Sequence, residues 1–282
     1  MDTSLGKTVE GRPPSRPSLG NTDGTAPVVP RRGETPRHLE LKRLALLWAQ
    51  ENGYPIAALE VTLPQCRYRA DVAAYRPQRD GTLGHTVLFE CKQSGSDLRR
   101  NDRRSPETLA RLETVYRRRQ VLEKQLSIHH PTLRRGETLF PEWDAHDFEA
   151  LDHRGYRRVT RELTALQNQL RDGRKFENLT RYGCANLFYL VVSDGLLREP
   201  EAPLGWGLLG AVDGALVLHR KPTWHESAEA KRLRVLQKIA SAGTRQFNHK
   251  LGVTPAIWER APETAERAAR LVAAAGRVSK SS

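Results

Sequence analysis

Val87-Leu88-Phe89-Glu90-Cys91-Lys92 decides the reading of this chain. Three apolar residues enter the stretch, and a carboxylate and an ammonium follow two positions apart. That pattern predicts a buried strand with charge at its mouth. Side chains alternate along a strand, so Glu90 and Lys92 should share one face and Cys91 should take the other. The triplet Glu-x-Lys is weak evidence alone, because the chain holds two more, Glu40-Leu41-Lys42 and Glu229-Ala230-Lys231. Both of those fall in predicted helices, where residues two apart diverge by roughly 200° and cannot converge on one point.

The preceding predicted strand, Arg67 to Tyr75, carries Arg69-Ala70-Asp71-Val72. A hairpin-like connection between these strands places Asp71 and Glu90 on one face, within reach of one cation. Hard carboxylate oxygens suit Mg²⁺ or Mn²⁺. A bound metal acidifies water and offsets charge on a phosphoryl oxygen, and a nearby ammonium such as that of Lys92 assists. Upstream, Thr35-Pro36 caps a helix with an apolar stripe at Leu41, Leu44, Ala45 and Trp48, ended by Gly53. Glu40 lies at the edge of that stripe. A strand from Ala57 to Leu63 follows, then the two strands above.

Composition bounds the partners. The 282 residues hold 46 Lys and Arg against 33 Asp and Glu, a net charge of +13, which is the footprint of a protein that meets a polyanion. Arg67 and Arg69 border the predicted site. Arg99, Arg100, Arg103 and Arg104 form a basic loop just beyond it, and are candidates to hold phosphates. Three scattered cysteines, Cys66, Cys91 and Cys184, without Cys-x-x-Cys, argue against structural zinc and fit a reducing, cytoplasmic setting. There is no signal-peptide pattern and no membrane-length apolar run. No Gly-rich phosphate loop occurs, so no nucleotide cofactor is expected.

Five stretches divide the chain. Residues 1–34, rich in Gly, Pro and Ser with scattered Arg, read as a disordered basic tail. Residues 35–95 form the first half of a core, and 182–245 the second half. In the second half, an apolar run at Leu187 to Val192 predicts a buried strand. Asp213-Gly214 joins two further strands into a hairpin, and a helix follows from about Glu226 with Leu233, Leu236 and Ala240 inward. Between the halves, 96–181 predicts an inserted helical hairpin from Ser105 to about Leu126 and from about Tyr156 to Leu170. The second helix repeats apolar residues at Tyr156, Val159, Leu163, Leu166 and Leu170. Residues 246–282 read as a helical or flexible tail.

A helix, three strands with Asp on the second and Glu-x-Lys on the third, then later strands, resembles the PD-(D/E)XK nuclease superfamily. The stretches Arg69-Ala70-Asp71-Val72-Ala73-Ala74-Tyr75, Phe89-Glu90-Cys91-Lys92 and Gly205-Trp206-Gly207-Leu208-Leu209 look most like its MmcB-like DNA-repair branch. The resemblance covers roughly 36–95 and 184–240. It implies an α/β restriction-endonuclease-like core, αβββαβ, with a central mixed sheet, a C-terminal β-hairpin and the inserted α-helical hairpin. It also implies that Asp71, Glu90 and Lys92 are catalytic. Asp71, Glu90 and the backbone carbonyl of Cys91 would bind Mg²⁺ or Mn²⁺, with Glu40 beside the metal and Gln93 in support. Ala70 stands where the family name has Pro, a position the superfamily varies. The insertion falls where the core's second helix belongs, and either half of the hairpin could supply that helix.

The expected function is therefore metal-dependent hydrolysis of DNA in repair, recombination or defence. The alternatives are RNA or branched DNA as substrate, a nucleic-acid-binding protein with a catalytically silent nuclease fold, and a partner-docking protein that uses the helical insertion.

Overall fold

The computed structural model describes residues 34–95, 105–135, 145–170 and 174–253. The chain is α/β, built on a six-stranded mixed sheet in the order β1-β2-β3-β6-β7-β8. The first three strands, β1 (Ile56–Thr62), β2 (Arg69–Arg76) and β3 (His85–Lys92), pair antiparallel. Strand β3 runs parallel to β6 (Leu187–Ser193), and β6 runs parallel to β7 (Gly207–Val212). Strand β8 (Ala215–Arg220) returns antiparallel to β7. Asp213 and Gly214 both have positive φ, 47° and 79°, as a two-residue hairpin turn requires. A small ribbon of β4 (Arg134–Arg135) and β5 (Ala145–His146) lies apart from this sheet.

Strands buried on both faces need helices on both faces. Helix α1 (Pro36–Glu51) covers one face. Its Leu41, Leu44, Ala45, Trp48 and Ala49 pack on Val72, Val87, Phe89, Cys91, Tyr189 and Val191. The Trp48 and Tyr189 rings meet at 5.0 Å, and Phe89 stacks on Tyr189 at 5.3 Å. On the other face, α4 (Arg174–Tyr182) contributes Phe176 and Leu179, and α5 (Glu229–Leu251) contributes Val235, Ile239 and Ala242. These meet Leu88, Phe188, Leu190, Trp206 and Leu208.

The α5 stripe differs in part from the expected Leu233, Leu236 and Ala240. Leu236 does pack against the core, partly buried, but the buried positions are Val235, Ile239 and Ala242, Ala240 is exposed and Leu233 is 45% exposed. Lys231 donates to the carbonyl of Tyr182, and Arg232 to those of Leu83 and Gly84. Helix α5 also continues past residue 245 to Leu251.

The inserted hairpin is α2 (Pro106–His129) and α3 (Arg154–Leu170). Pairing of Arg111 with Glu162, and of Glu123 with Tyr156, makes the two helices antiparallel. Leu112, Val115, Tyr116, Val159, Leu163 and Leu170 form their seam. The hairpin is tied down on the core. Buried Gln167 donates to the carbonyls of Pro200 and Ala202 at 2.8 and 2.7 Å and accepts from Leu204 N–H at 3.1 Å. Tyr116 donates to Glu199 at 2.8 Å. Neither half of this hairpin enters the buried clusters on the two sheet faces. The helix after it, α4, does so through Phe176 and Leu179.

Candidate active site

Strands β2 and β3 pair as far as Val72 and Phe89. Beyond that pair Asp71 replaces the ladder: its Oδ2 accepts the Cys91 N–H at 2.7 Å. Its Oδ1 faces α1, 3.5 Å from His38 Nε2 and 3.8 Å from Lys42 Nζ. Burial raises the Asp71 pKa, but His38, the Cys91 N–H and Lys42 outweigh it, and the net direction is down. The carboxylate therefore stays ionised although it is largely enclosed.

Glu90 lies one residue away on β3 and is 4% exposed. Its Oε1 takes two ammonium groups, Lys92 at 3.1 Å and Lys175 of α4 in a shorter contact. The Glu90 side chain thus meets the α4 side of the sheet, while Cys91 is buried on the α1 side, as strand alternation requires. Asp71 departs from the expected shared face with Glu90. Released from cross-strand pairing, its carboxylate turns to the Cys91 amide and to α1. The two carboxylates flank a single peptide rather than one face. The Cys91 thiol registers both: burial pushes it well up, and the charges of Asp71 and Glu90 push in the same direction.

Glu40 does not join the group. Its carboxylate is held by Arg43 at 3.0 Å from two guanidinium nitrogens. Two residues along a helix is roughly 200° of rotation, so Glu40 points away from the side that His38 and Lys42 present to Asp71. Gln93 is at the site margin, where its Oε1 accepts from the hydroxyl of Thr35, the N-cap of α1. Arg69 is half-exposed and pairs with Glu60 at 2.5 Å, and Arg67 is exposed. Arg99, Arg100, Arg103 and Arg104 lie outside the described residues, as does all of 1–33 and 254–282.

Four residues were not singled out by the sequence. His38 and Lys42 sit four apart on α1, the signal that they share a face. Lys175 comes from α4, whose nine residues look like part of the insertion. Glu60 lies in β1 with φ +56°, a conformation that strand periodicity does not forecast.

Asp71 and Glu90 offer hard oxygens beside the Cys91 peptide, a donor set whose chemistry fits Mg²⁺ or Mn²⁺. Among the described residues, no group of three or more His, Cys, Asp or Glu side chains is gathered to hold a metal. A metal here would draw its remaining protein ligand from the backbone.

No family model matches the chain, and no curated protein matches it. A solved structure, a protein of unknown function from Silicibacter pomeroyi, is similar at 14% identity with a TM-score of 0.41. That likeness covers 76% of this chain and 91% of the other and carries no argument about function. Among the described residues, no helix is long and apolar enough to cross a membrane.

Proposed function

We propose that this chain is a metal-dependent nuclease of the restriction-endonuclease-like, PD-(D/E)XK kind, hydrolysing phosphodiester bonds in DNA. One observation carries the reading. Asp71, Glu90 and Lys92 surround the Cys91 peptide where β2 and β3 part, with Asp71 bonded to its N–H. The parallel β3–β6 pair, α1 on one face and α4 on the other support it, since that arrangement suits a core of this class.

When bound, Mg²⁺ or Mn²⁺ supplies an acidified water and offsets charge on the phosphoryl oxygen. Asp71, Glu90 and the Cys91 carbonyl would hold the ion. Lys92, part-exposed beside Glu90, is placed to hold the attacking water or to balance charge developing on the phosphate. Lys175 approaches the same Glu90 oxygen from α4 and brings a second ammonium to the place where phosphate negative charge would grow.

Helix α5 adds a substrate-facing surface. It carries six Lys and Arg against one Glu, and Gln246 near its C-terminal end donates to the Leu59 carbonyl, next to Glu60. Arg234, Lys238 and Arg245 are exposed. A DNA backbone laid there would reach the acidic group through its phosphates, with affinity that falls steeply with salt.

A second reading draws on the lysines that occupy Glu90: a nucleic-acid-binding protein whose site is silent. Labelled duplex, single-stranded, branched and RNA substrates, incubated with Mg²⁺ and with EDTA, separate the two. Cleavage in Mg²⁺ that EDTA abolishes supports the nuclease. Binding of the same substrates without cleavage in either condition supports the silent site.

A further inference from the structure

The acidic side chains around α1 are more numerous than the proposed reaction needs. Lys42 is buried, with a side chain 4% exposed, and it pairs with Glu34 and with Glu60. Its ammonium also lies 3.8 Å from Asp71 Oδ1. Three carboxylates from three places in the chain therefore close on one ammonium: Glu34 just before α1, Glu60 in β1 and Asp71 in β2. His38 Nε2 lies 3.5 Å from Asp71 and 3.8 Å from Glu34. Arg69 takes the second oxygen of Glu60 at 2.5 Å.

Asp71 is common to this group and to the proposed metal site with Glu90. One carboxylate shared between two cation positions is the layout of a two-metal site. Here one position is filled by a side chain of the protein itself. We propose that Lys42 is a positioning residue, a tethered cation that takes the place of a second metal beside Asp71, so that the site binds one divalent ion. This rests on the metal-nuclease reading.

The chemistry separates the two kinds of cation. A tethered ammonium brings one positive charge where a divalent metal brings two, has no open coordination position for water, and is not removed by a chelator. Lys42 is too enclosed to meet a substrate. Its work is to hold Asp71 and to balance Glu34 and Glu60. An ion-pair network of purely structural purpose would also be disrupted by loss of Lys42. It would not gain a metal.

The test counts Mn²⁺ bound to the full chain by titration calorimetry and by electron paramagnetic resonance of free Mn²⁺. Wild type should bind one ion, and Lys42→Arg should stay at one. Lys42→Met should bind two, because Glu34, Glu60 and Asp71 then lose the ammonium that joins them, with only Arg69 left on the second Glu60 oxygen and His38 beside Asp71 and Glu34. If the loss of the shared ammonium keeps Lys42→Met from folding, the double variant Lys42→Met/Glu34→Gln carries less excess charge and should also bind two. Wild type with two ions overturns the proposal but leaves the metal-nuclease reading standing. So does a Lys42→Met chain, or the double variant where that is needed, that still binds one. A wild-type chain that binds none overturns the metal site itself.

Discussion

At the residue scale, Asp71 couples the site to stability. Its pKa is lowered in the folded chain, so folding favours the ionised form. The sign follows from linkage: the stability Asp71 contributes is present above its unfolded pKa and is lost as pH falls through the lowered folded value. Asp71→Asn should therefore flatten the acid limb of stability below about pH 4, measured by urea unfolding across pH. His85 acts in a higher window. Burial and then the charges of Arg232 and Arg76 push its pKa down to about 4. The unfolded chain binds that proton near about pH 6.5, so stability should fall as pH drops from there towards 4. His85→Gln should remove that slope while leaving the Asp71 limb in place. A slope between pH 6.5 and 4 that persists in the variant would assign it to another group.

At the element scale, much of the architecture was legible and the failures have physical causes. Leu41, Leu44, Ala45 and Trp48 announce α1 by their spacing, and the Asp213-Gly214 turn announces the β7–β8 hairpin. The α5 stripe is only partly legible, Leu236 but not Leu233 or Ala240 facing the core, because that helix carries leucines on its solvent side as well and apolar spacing alone does not choose a face. Helix α4 was missed because nine residues beside a long inserted hairpin give periodicity little room. At the candidate site, Asp71, Glu90 and Lys92 were legible as residue types and spacing, but not the turn of Asp71 away from Glu90 to the Cys91 N–H and α1. Glu40 lies apart because helix rotation carries it to Arg43, whereas His38 and Lys42 are the α1 residues beside Asp71. Gln167, too, has a role visible only in three dimensions. It holds the hairpin to the core through three hydrogen bonds, so Gln167→Leu strands the Pro200 carbonyl and the Leu204 N–H and leaves the Ala202 carbonyl to Arg220 alone. A loss of about 3 kcal/mol is expected by denaturant unfolding. A loss below about 0.5 kcal/mol, the range of neutral surface changes, would mean the hairpin does not lean on that contact.

At the scale of the whole molecule, charge and topology act together. The net +13 has a visible part in α5, which lies on the sheet face that also holds α4 and Lys175. The triple variant Arg234→Glu/Lys238→Glu/Arg245→Glu should weaken DNA binding at least tenfold and make the dependence of affinity on salt shallower, without changing the fold seen by circular dichroism. An unchanged salt slope would place the backbone contacts elsewhere.

Asp71, Glu90 and Lys92 are proposed to act as one hydrolytic centre around the Cys91 peptide. The most direct measurement is Mg²⁺-dependent cleavage of labelled DNA by wild type and by Lys92→Ala, with DNA affinity measured on the same samples. Wild type should cleave in a manner that EDTA abolishes, and Lys92→Ala should lose at least about 100-fold with affinity nearly unchanged. Cleavage by Lys92→Ala at the wild-type rate would contradict the proposed centre.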